Sequence, residues 1–486
     1  MMPEPEPPQP PTLTEALVVI QALWAENARL RDLTSRLEER VRALEARVGQ
    51  TSTNSSRPPS ADPPRTPPPP PRRPTGRRRG AQPGHAAHQR TLLPPDQVDH
   101  TRDHWPTACQ HCQTPLVPDP SQLVGEPVRH QVVEVPPVRA EITDHYLYRQ
   151  RCPHCRGTTR AALPPTVSPG AFGPRLQAIV ALLSGRYRLS RREVADLCDA
   201  LLGAPLAVGS VDALCRATAQ ALAGPVAALQ GAVRQAPVAN ADETEWACAG
   251  QRRWLWVVVS AAATVFTVAT SRGGRVIQGV VGETFAGILG SDRWSAYAWV
   301  EPHRRQVCWA HLKRDFQALV DWGAAARPVG EAALAQLERL FAAWHQARDD
   351  PAARARLPET VAPIQAEFRT LLEQGALGSS TKAAGVCRAL LKLWPALWTF
   401  VSVPGVEPTN NVAERAIRPA VLWRRGCFGS QSEQGEVFVA RLLSVAATCR
   451  QQHRPPLDYL TAVCTAAQQG HPIPSLLPAP ASPHTA

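Results

Sequence analysis

The sequence lacks a membrane span and a secretory signal. Its first residues are rich in proline and have neither the basic start nor the apolar core of an export signal. Outside the proline-rich tail, the longest uncharged run covers residues 254–271. We expect this run to form two strands of a hairpin, because it is rich in Val and Thr and a span needs about 20 apolar residues. Without an export signal, the twelve cysteines should be reduced in the cytoplasm, as thiols or metal ligands.

Acidic residues are scarcer than basic ones. The chain has 41 Asp and Glu against 53 Lys and Arg, which gives a net charge of +12. Such a balance favours an anionic partner, with nucleic acid the first candidate. A chain of 486 residues is long enough for about two to four domains with buried cores.

The N-terminal segment, residues 1–50, is predicted to form a coiled coil. Leucine at d, β-branched residues at several a positions and one Asn at a favour a parallel two-stranded structure, and therefore a homodimer. The alternative is a single amphipathic helix docked on its own protein; a register of about five heptads followed by a proline-rich linker favours the coiled coil. The a positions are Leu13, Ile20, Asn27, Thr34, Val41 and Val48, and the d positions are Ala16, Leu23, Leu30, Leu37 and Leu44.

Two segments have the composition of disordered chain. Residues 51–98 are rich in Pro and Arg, and residues 471–486 are rich in Pro. Neither carries enough apolar surface to fold alone. The linker arginines would contact phosphates without sequence preference, or would be solvated with no partner.

Residues 99–165 are predicted to form a zinc-ribbon-like module. Two Cys-x-x-Cys pairs, Cys109 with Cys112 and Cys152 with Cys155, are the usual way to present four thiolates to Zn²⁺. The gap between the pairs exceeds the common ribbon spacing, and the alternating residues 129–148 predict strands that fill it. The alternative is four free thiols.

Residues 166–236 are predicted to be helical. One helix surrounds residues 176–183, a second starts at Ser190 with Glu193 as its capping-box partner, and a third starts near residue 208. Helix, break and helix with basic residues resembles a helix-turn-helix, whose second helix would enter a DNA major groove. A helical hairpin that only packs is the alternative.

Residues 237–470 are predicted to form a mixed α/β sheet domain with a helical insertion at about 322–405. The pattern is strand, hairpin, helix and strand, which opens such a sheet. Asp242 and Asp292 would end two of the strands and lie close together. The segments are a strand at 237–244, the hairpin strands at 253–260 and 264–270, and a helix at 276–289.

Residues 408–419 predict a helix start with an acid in its first turn. If Asn411 is the N-cap, Glu414 is a capping-box partner; the other interpretation is a carboxylate that holds a metal ion against a phosphate. Pro419 should kink or end this helix. Four nearby arginines would bind DNA phosphates, or be solvated or structural: Arg415, Arg418, Arg424 and Arg425.

Three acids on different elements of one sheet domain match a two-metal phosphodiester site. Mg²⁺ or Mn²⁺ would be held by Asp242, Asp292 and Glu414. Rivals that the sequence leaves open are Glu243, Glu245 and Glu283. Cys308 and His311 share a helix face and would suit a second zinc ion; simple packing is the alternative.

Several motifs together resemble the transposases of the insertion sequence 66 family. They are Asp242-Glu243-Thr244, Ser291-Asp292-x-x-Ser295-Ala296-Tyr297, Cys308-Trp309-Ala310-His311 and Thr409-Asn410-Asn411-x-Ala413-Glu414-Arg415, in the order coiled coil, linker with Gln82-Pro83-Gly84-His85, cysteine pairs, helical module and sheet domain. The resemblance implies a ribonuclease-H-like fold and an Asp-Asp-Glu triad at Asp242, Asp292 and Glu414.

The resemblance further implies cleavage of element ends, strand transfer into target DNA and helper proteins encoded beside the gene. Two alternatives stay open. One is a dimeric, zinc-containing DNA-binding repressor without catalysis, and the other is a nuclease of the same fold that joins nothing.

Overall fold

The computed structural model describes residues 12–48 and 90–477, which divide into two compact units. The first unit contains residues 12–48, 143–199 and 205–477, and the second contains 90–142 and 200–204. Most of the predicted linker, including Gln82-Pro83-Gly84-His85, lies outside the described residues, as do 478–486 of the predicted tail. Within the described ranges, no helix is long and apolar enough to cross a bilayer.

The predicted N-terminal helix is present as α1, Leu13–Val48. Among the seam residues whose side chains the structure describes, Leu23 keeps 60% of its surface, Leu30 51% and Leu37 55%. These leucines are therefore exposed, and the coiled coil stays a prediction.

Strands are absent from residues 129–148, contrary to the prediction. Among the described residues of this region, the only ladder is the short hairpin of β1 (Arg149–Arg151) with β2 (Thr158–Arg160). Val132 keeps 75% of its surface and Val135 73%. Alternation alone does not make a strand here, because the apolar side chains have no buried face to pack on.

The helical module consists of α2 (Pro174–Gly185), α3 (Arg191–Leu202), α4 (Val208–Ala221) and α5 (Ala223–Arg234). The capping box before α3 is confirmed: Ser190 N–H donates to Glu193 Oε2 at 2.7 Å, and Glu193 N–H donates to Ser190 Oγ at 3.2 Å. Hydrogen bonds from the backbone and the side chain of Ser190 lower the pKa of the Glu193 carboxyl, and the reciprocal pair fixes where the helix begins.

The central sheet has five strands in the order β5-β4-β3-β6-β7. The first three are antiparallel neighbours, and β6 and β7 run parallel to β3. The predicted helix at 276–289 is too long: α6 ends at Val281, where Gly282 has φ +93°, and residues 288–291 enter the sheet instead. The strands are β3 (Val238–Cys248), β4 (Gln251–Ser260), β5 (Thr264–Ala269), β6 (Ile288–Ser291) and β7 (Arg305–Val307), with α6 (Gly274–Val281) between β5 and β6.

A helical insertion follows β7 and has its own apolar core. Trp309 inserts into this core, with its ring centroid 5.1 Å from that of Trp398 and 5.5 Å from that of Phe368. Its indole N–H also donates to Leu397 O at 2.7 Å. The helices are α7 (Trp309–Trp322), α8 (Arg327–Asp349), α9 (Pro351–Ala355), α10 (Leu357–Leu377), α11 (Thr381–Lys392) and α12 (Trp394–Ser402).

Three C-terminal helices complete the first unit: α13 (Asn411–Cys427), α14 (Glu433–Gln451) and α15 (Pro456–Gln469). α13 packs on β3 and β4, while α14 packs on β5, α2 and α4, so the helical module and the sheet domain form one unit. Pro419 does not end α13, which continues to Cys427. The described part of the tail is ordered against α15: Tyr459 OH donates to Pro474 O at 2.9 Å, and Leu476 is 1% exposed.

The insertion core supplies a matched test within α10. Leu372 is 1% exposed and Leu377 is 91% exposed, so the same substitution removes either a buried or a solvated side chain. We expect Leu372→Ala to lower the free energy of unfolding by about 2–5 kcal/mol, and Leu377→Ala to change it by less than about 0.5 kcal/mol. Urea unfolding followed by circular dichroism measures both. Equal losses would contradict the insertion core.

Candidate active site

Two of the three predicted acids lie at matching positions of neighbouring strands. β3 and β6 are parallel, and their last paired residues are Asn240 and Gly290. Asp242 and Asp292 each follow two residues later, so the register makes them neighbours. Asp292 follows the end of β6, but the prediction that Asp242 ends a strand is wrong, because β3 continues to Cys248 and pairs Asp242 with Val257 of β4.

The third acid is delivered by the start of α13. Asn410 Nδ2 donates to the backbone oxygen of Ala241, next to Asp242, at 3.2 Å. Trp309 N–H donates to Pro408 O at 2.9 Å, which joins the starts of α7 and α13. Glu414 therefore projects from the first turn of a helix that is tied directly to β3.

The capping-box interpretation of Glu414 is wrong. The N-cap is Asn410 rather than Asn411, and it makes no side-chain cap hydrogen bond. The side-chain amide of Asn410 instead donates to the backbone of β3. Glu414 is the fourth helical residue, and its Oε1 is buried without a hydrogen-bond partner. Its carboxylate is thus available for chemistry.

The acids influence one another electrostatically. The pKa of Asp242 is raised well above its ordinary value, first by burial and then by the charges of Glu243, Glu414 and Asp292. Charges that shift the pKa of a carboxyl in this way lie close to that carboxyl. Asp292 and Glu414 are therefore both near enough to Asp242 to act on its carboxyl, and their joint role stays a prediction.

His311 is the nearest neighbour of Glu414. Its Nδ1 lies 3.3 Å from Glu414 Oε1, but neither atom has a well-formed hydrogen bond. Burial, assisted by Arg314, lowers the pKa of His311, so the ring is neutral at neutral pH. Cys308 Sγ completes the group, and the ligand atoms of all three side chains lie within 4.8 Å of one another.

Arg305 fixes the backbone at Asp292. It is 1% exposed, and its guanidinium donates to Asp292 O at 2.6 Å and to Ser291 Oγ at 3.2 Å. Burial lowers the pKa of Arg305 to about 10, so it still carries a positive charge beside the acids at neutral pH. No sequence pattern predicts this role, because Arg305 looks like one of many surface arginines.

The rival acids have other environments. Glu243 accepts hydrogen bonds from Arg272 at 2.8 Å and from the Tyr297 hydroxyl at 2.5 Å, on the strand face opposite to Asp242. Glu245 pairs with Arg252 at 3.1 Å. Glu283 is exposed in the turn after α6. Glu243 still acts electrostatically on Asp242 and Asp292, and Glu245 acts on Arg424 of α13. Their pairing with arginines is what distinguishes Glu243 and Glu245 from the three predicted acids.

The four predicted DNA-binding arginines fall into two groups. Arg424 is half-buried and donates to Thr244 Oγ1 at 3.1 Å, bracing α13 on β3. Arg425 is exposed at the end of α13. Arg415 and Arg418 are exposed, and they line a cleft of about 550 Å³ between α13 and α14. The same cleft is lined by Arg186, Arg450 and His453, and no acid is among its described lining residues.

The two cysteine pairs make the same kind of turn. Cys109 N–H donates to Thr114 O at 2.9 Å with Gln113 at φ +61°, and Cys152 N–H donates to Gly157 O at 2.8 Å with Arg156 at φ +56°. Backbone N–H groups of Cys155 and His154 lower the pKa of Cys152. Such turns stabilise thiolates of the kind that bind zinc.

Comparison with known proteins places these residues in a family context. Residues 169–437 match the family described as Transposase IS66 family, and residues 2–91 match a family of unknown function, DUF6444. The uncharacterized protein y4qI of Sinorhizobium fredii is 31% identical over 214 residues, 40% of this chain and 39% of the relative. The uncharacterized protein y4hP of the same organism is 25% identical over 421 residues, 78% of this chain and 74% of the relative. The chain thus spans about two fifths of the first relative's length.

The raised pKa of Asp242 predicts a pH-dependent stability effect. A carboxyl whose folded pKa is raised has its full contribution to stability below its unfolded pKa, and loses it as pH rises through the folded pKa. In metal-free buffer, we expect Asp242→Asn to raise the melting temperature at pH 8, with the gain shrinking as pH falls toward the unfolded pKa of about 3.9. The exposed Asp196→Asn in α3 is the control. A gain that grows on acidification would contradict this environment for Asp242.

Proposed function

Because this chain belongs to the IS66 family of transposases, whose membership implies a DNA-cleaving enzyme, we propose that it cleaves insertion-element ends and joins them to target DNA. Asp242, Asp292 and Glu414 are the proposed catalytic triad. The observation that supports this most directly is the electrostatic coupling of Asp242 to both Glu414 and Asp292. Three carboxylates from β3, the end of β6 and α13 meet in one neighbourhood.

The residues present suit divalent cations. All three acids are oxygen donors of the type that Mg²⁺ and Mn²⁺ prefer, and buried Glu414 Oε1 and Asn410 Oδ1 have no hydrogen-bond partner. Burial raises the pKa of Asp242 first, followed by the charges of Glu243, Glu414 and Asp292; bound cations would relieve the repulsion among these charges. Two bound ions would supply charge stabilisation on the attacking and leaving oxygens of a phosphodiester.

The protein's own groups hold this arrangement in place. Asn410 ties α13 to β3, Arg305 holds the backbone of Asp292, and His311 lies against Glu414. The strand order, three antiparallel strands followed by two parallel ones, supports the ribonuclease-H-like interpretation of the catalytic domain.

DNA would reach the site through basic surfaces. Both Arg415 and Arg418 are exposed; Arg415 directly follows Glu414, and Arg418 lies about one helical turn after it. A phosphate on this surface of α13 would therefore contact both the triad and the basic cleft. Arg425 is a further candidate. The helix-turn-helix-like pair α3 and α4 is a second proposed DNA contact. Arg424 has a bracing role in addition to any phosphate contact.

Two further assignments concern assembly. The exposed seam of α1 is the proposed homodimer interface, since a leucine seam of this length is stable when paired. Cys109, Cys112, Cys152 and Cys155 are the proposed zinc ligands, with a structural role. Target DNA, element ends and helper proteins encoded beside the gene complete the proposed partners.

Loss of one triad carboxylate tests the proposed chemistry. We expect Asp292→Asn to reduce Mg²⁺-dependent cleavage and strand transfer of end-containing DNA by more than about 100-fold, since outer-shell partners of metals alone contribute 10- to 100-fold. The control is Glu283→Gln, an exposed rival acid, which should stay within about twofold of wild type. Gel assays with labelled DNA measure both steps.

The outcomes separate the candidate functions. Wild-type joining by Asp292→Asn would rule out the triad assignment. Binding of end DNA without any cleavage by the unmodified chain would favour the repressor, and cleavage without joining would favour a nuclease.

The cleft arginines supply a binding prediction. Because Arg418 is exposed and lines the basic cleft, we expect Arg418→Gln to weaken DNA binding uniformly across sequences and to reduce the slope of log K against log salt by about 1. Arg369→Gln is the control, since Arg369 pairs with Glu373 at 2.9 Å on α10. Fluorescence anisotropy across a salt series measures the slope. An unchanged slope would exclude Arg418 as a phosphate contact.

A further inference from the structure

A group of soft and borderline metal ligands lies beside the triad. Cys308, His311 and Glu414 place a thiol sulfur, an imidazole nitrogen and a carboxylate oxygen within 4.8 Å of one another. Among the described residues, no other trio of His, Cys, Asp and Glu side chains converges in this way. Asp242 and Asp292 are not part of it.

Backbone contacts fix each of these ligands. Cys308 is the N-cap of α7, and its N–H donates to Ser291 O at 2.8 Å. Its sulfur accepts a hydrogen bond from the N–H of Asn410 at 3.4 Å, a contact that metal-bound thiolates commonly receive. His311 follows one helical turn later on the same face. The group is therefore built by two helix starts that are bonded to each other.

Two of the three ligands have buried atoms with unsatisfied bonding capacity. His311 Nδ1 and Glu414 Oε1 are 3.3 Å apart, and neither has a hydrogen-bond partner. A buried polar atom without a partner is costly, so such a pair calls for an atom that can bind both. A metal ion is that atom, because it accepts lone pairs from nitrogen, oxygen and sulfur together.

We propose that Cys308, His311 and Glu414 form a Zn²⁺ site that withdraws Glu414 from the magnesium site and thereby inhibits DNA cleavage. Sulfur and imidazole ligands select Zn²⁺ over Mg²⁺, and three protein ligands leave a fourth position for water. Ligands at about 2.0–2.3 Å from zinc in a tetrahedron are roughly 3.3–3.8 Å apart. His311 Nδ1 and Glu414 Oε1 are already 3.3 Å apart, so on binding only the wider separations of the group would shorten, by at most about 1 Å.

The inhibitory role rests on the proposed function, whereas the zinc site itself does not. Glu414 is the one residue shared by the triad and the zinc site. Since it is held by two different metal ions in the two states, zinc and magnesium compete for the same carboxylate. Zinc binding replaces the thiol proton of Cys308, which leaves to solvent.

Zinc content of the full-length protein tests the site without any assay of activity. Wild type, Cys308→Ser and His311→Asn are dialysed against zinc-buffered solution, and bound metal is measured by mass spectrometry. We expect each variant to hold one Zn²⁺ per chain fewer than wild type, whatever the cysteine pairs at 109–112 and 152–155 contribute. The control is Cys387→Ser in α11, also buried at 1% exposure, which should match wild type. Equal zinc content in wild type and Cys308→Ser overturns the site.

Competition with magnesium tests the inhibitory role. At a free Zn²⁺ concentration ten times the dissociation constant, we expect Mg²⁺-dependent cleavage by wild type to fall about tenfold. Cys308→Ser, compared with its own zinc-free rate, should change by less than about twofold. Zinc that binds but leaves wild-type cleavage unchanged overturns inhibition. If the chain cleaves no DNA under any condition, the proposed function fails while the zinc content still decides the site.

Discussion

The structure depends on holding carboxylates closer together than their charges favour. The pKa of Asp242 is raised by burial and then by the nearby charges of Glu243, Glu414 and Asp292, so the fold holds these acids together against electrostatic repulsion. This repulsion is offset by hydrogen bonds to the backbone: the Asn410 amide donates to Ala241 of β3, and Arg305 donates to Asp292, the residue that follows β6. A site assembled against repulsion is prepared for cations before they arrive.

The helical insertion packs against the elements that carry the site. Trp309 is the first residue of α7 and sits in the insertion core, while Cys308 and His311 on either side of it face Glu414. Phe400 N–H donates to Gln306 Oε1 at 2.8 Å, which joins α12 to β7. Packing in the insertion is thereby transmitted to the ligands beside the triad.

Local signals in the sequence were sufficient for much of this. Ser190 and Glu193 predicted a helix start correctly because capping is a local interaction, and the predicted end of β6 placed Asp292, whereas Asp242 lies inside β3. Non-local contacts were not accessible. Asn411 was the expected cap, but the N-cap is Asn410, whose amide binds Ala241, far away in sequence. The partners of Glu243 are brought to it only when β5, α6 and the turn at Tyr297 are folded.

The position of the insertion in the chain has a consequence for synthesis. Asp242 and Asp292 leave the ribosome well before Glu414, because helices α8 to α12 lie between Asp292 and Glu414 in the sequence. Domains generally fold as they emerge, with the N-terminal parts first. A nascent chain therefore lacks the third acid of the proposed triad until the insertion has been translated.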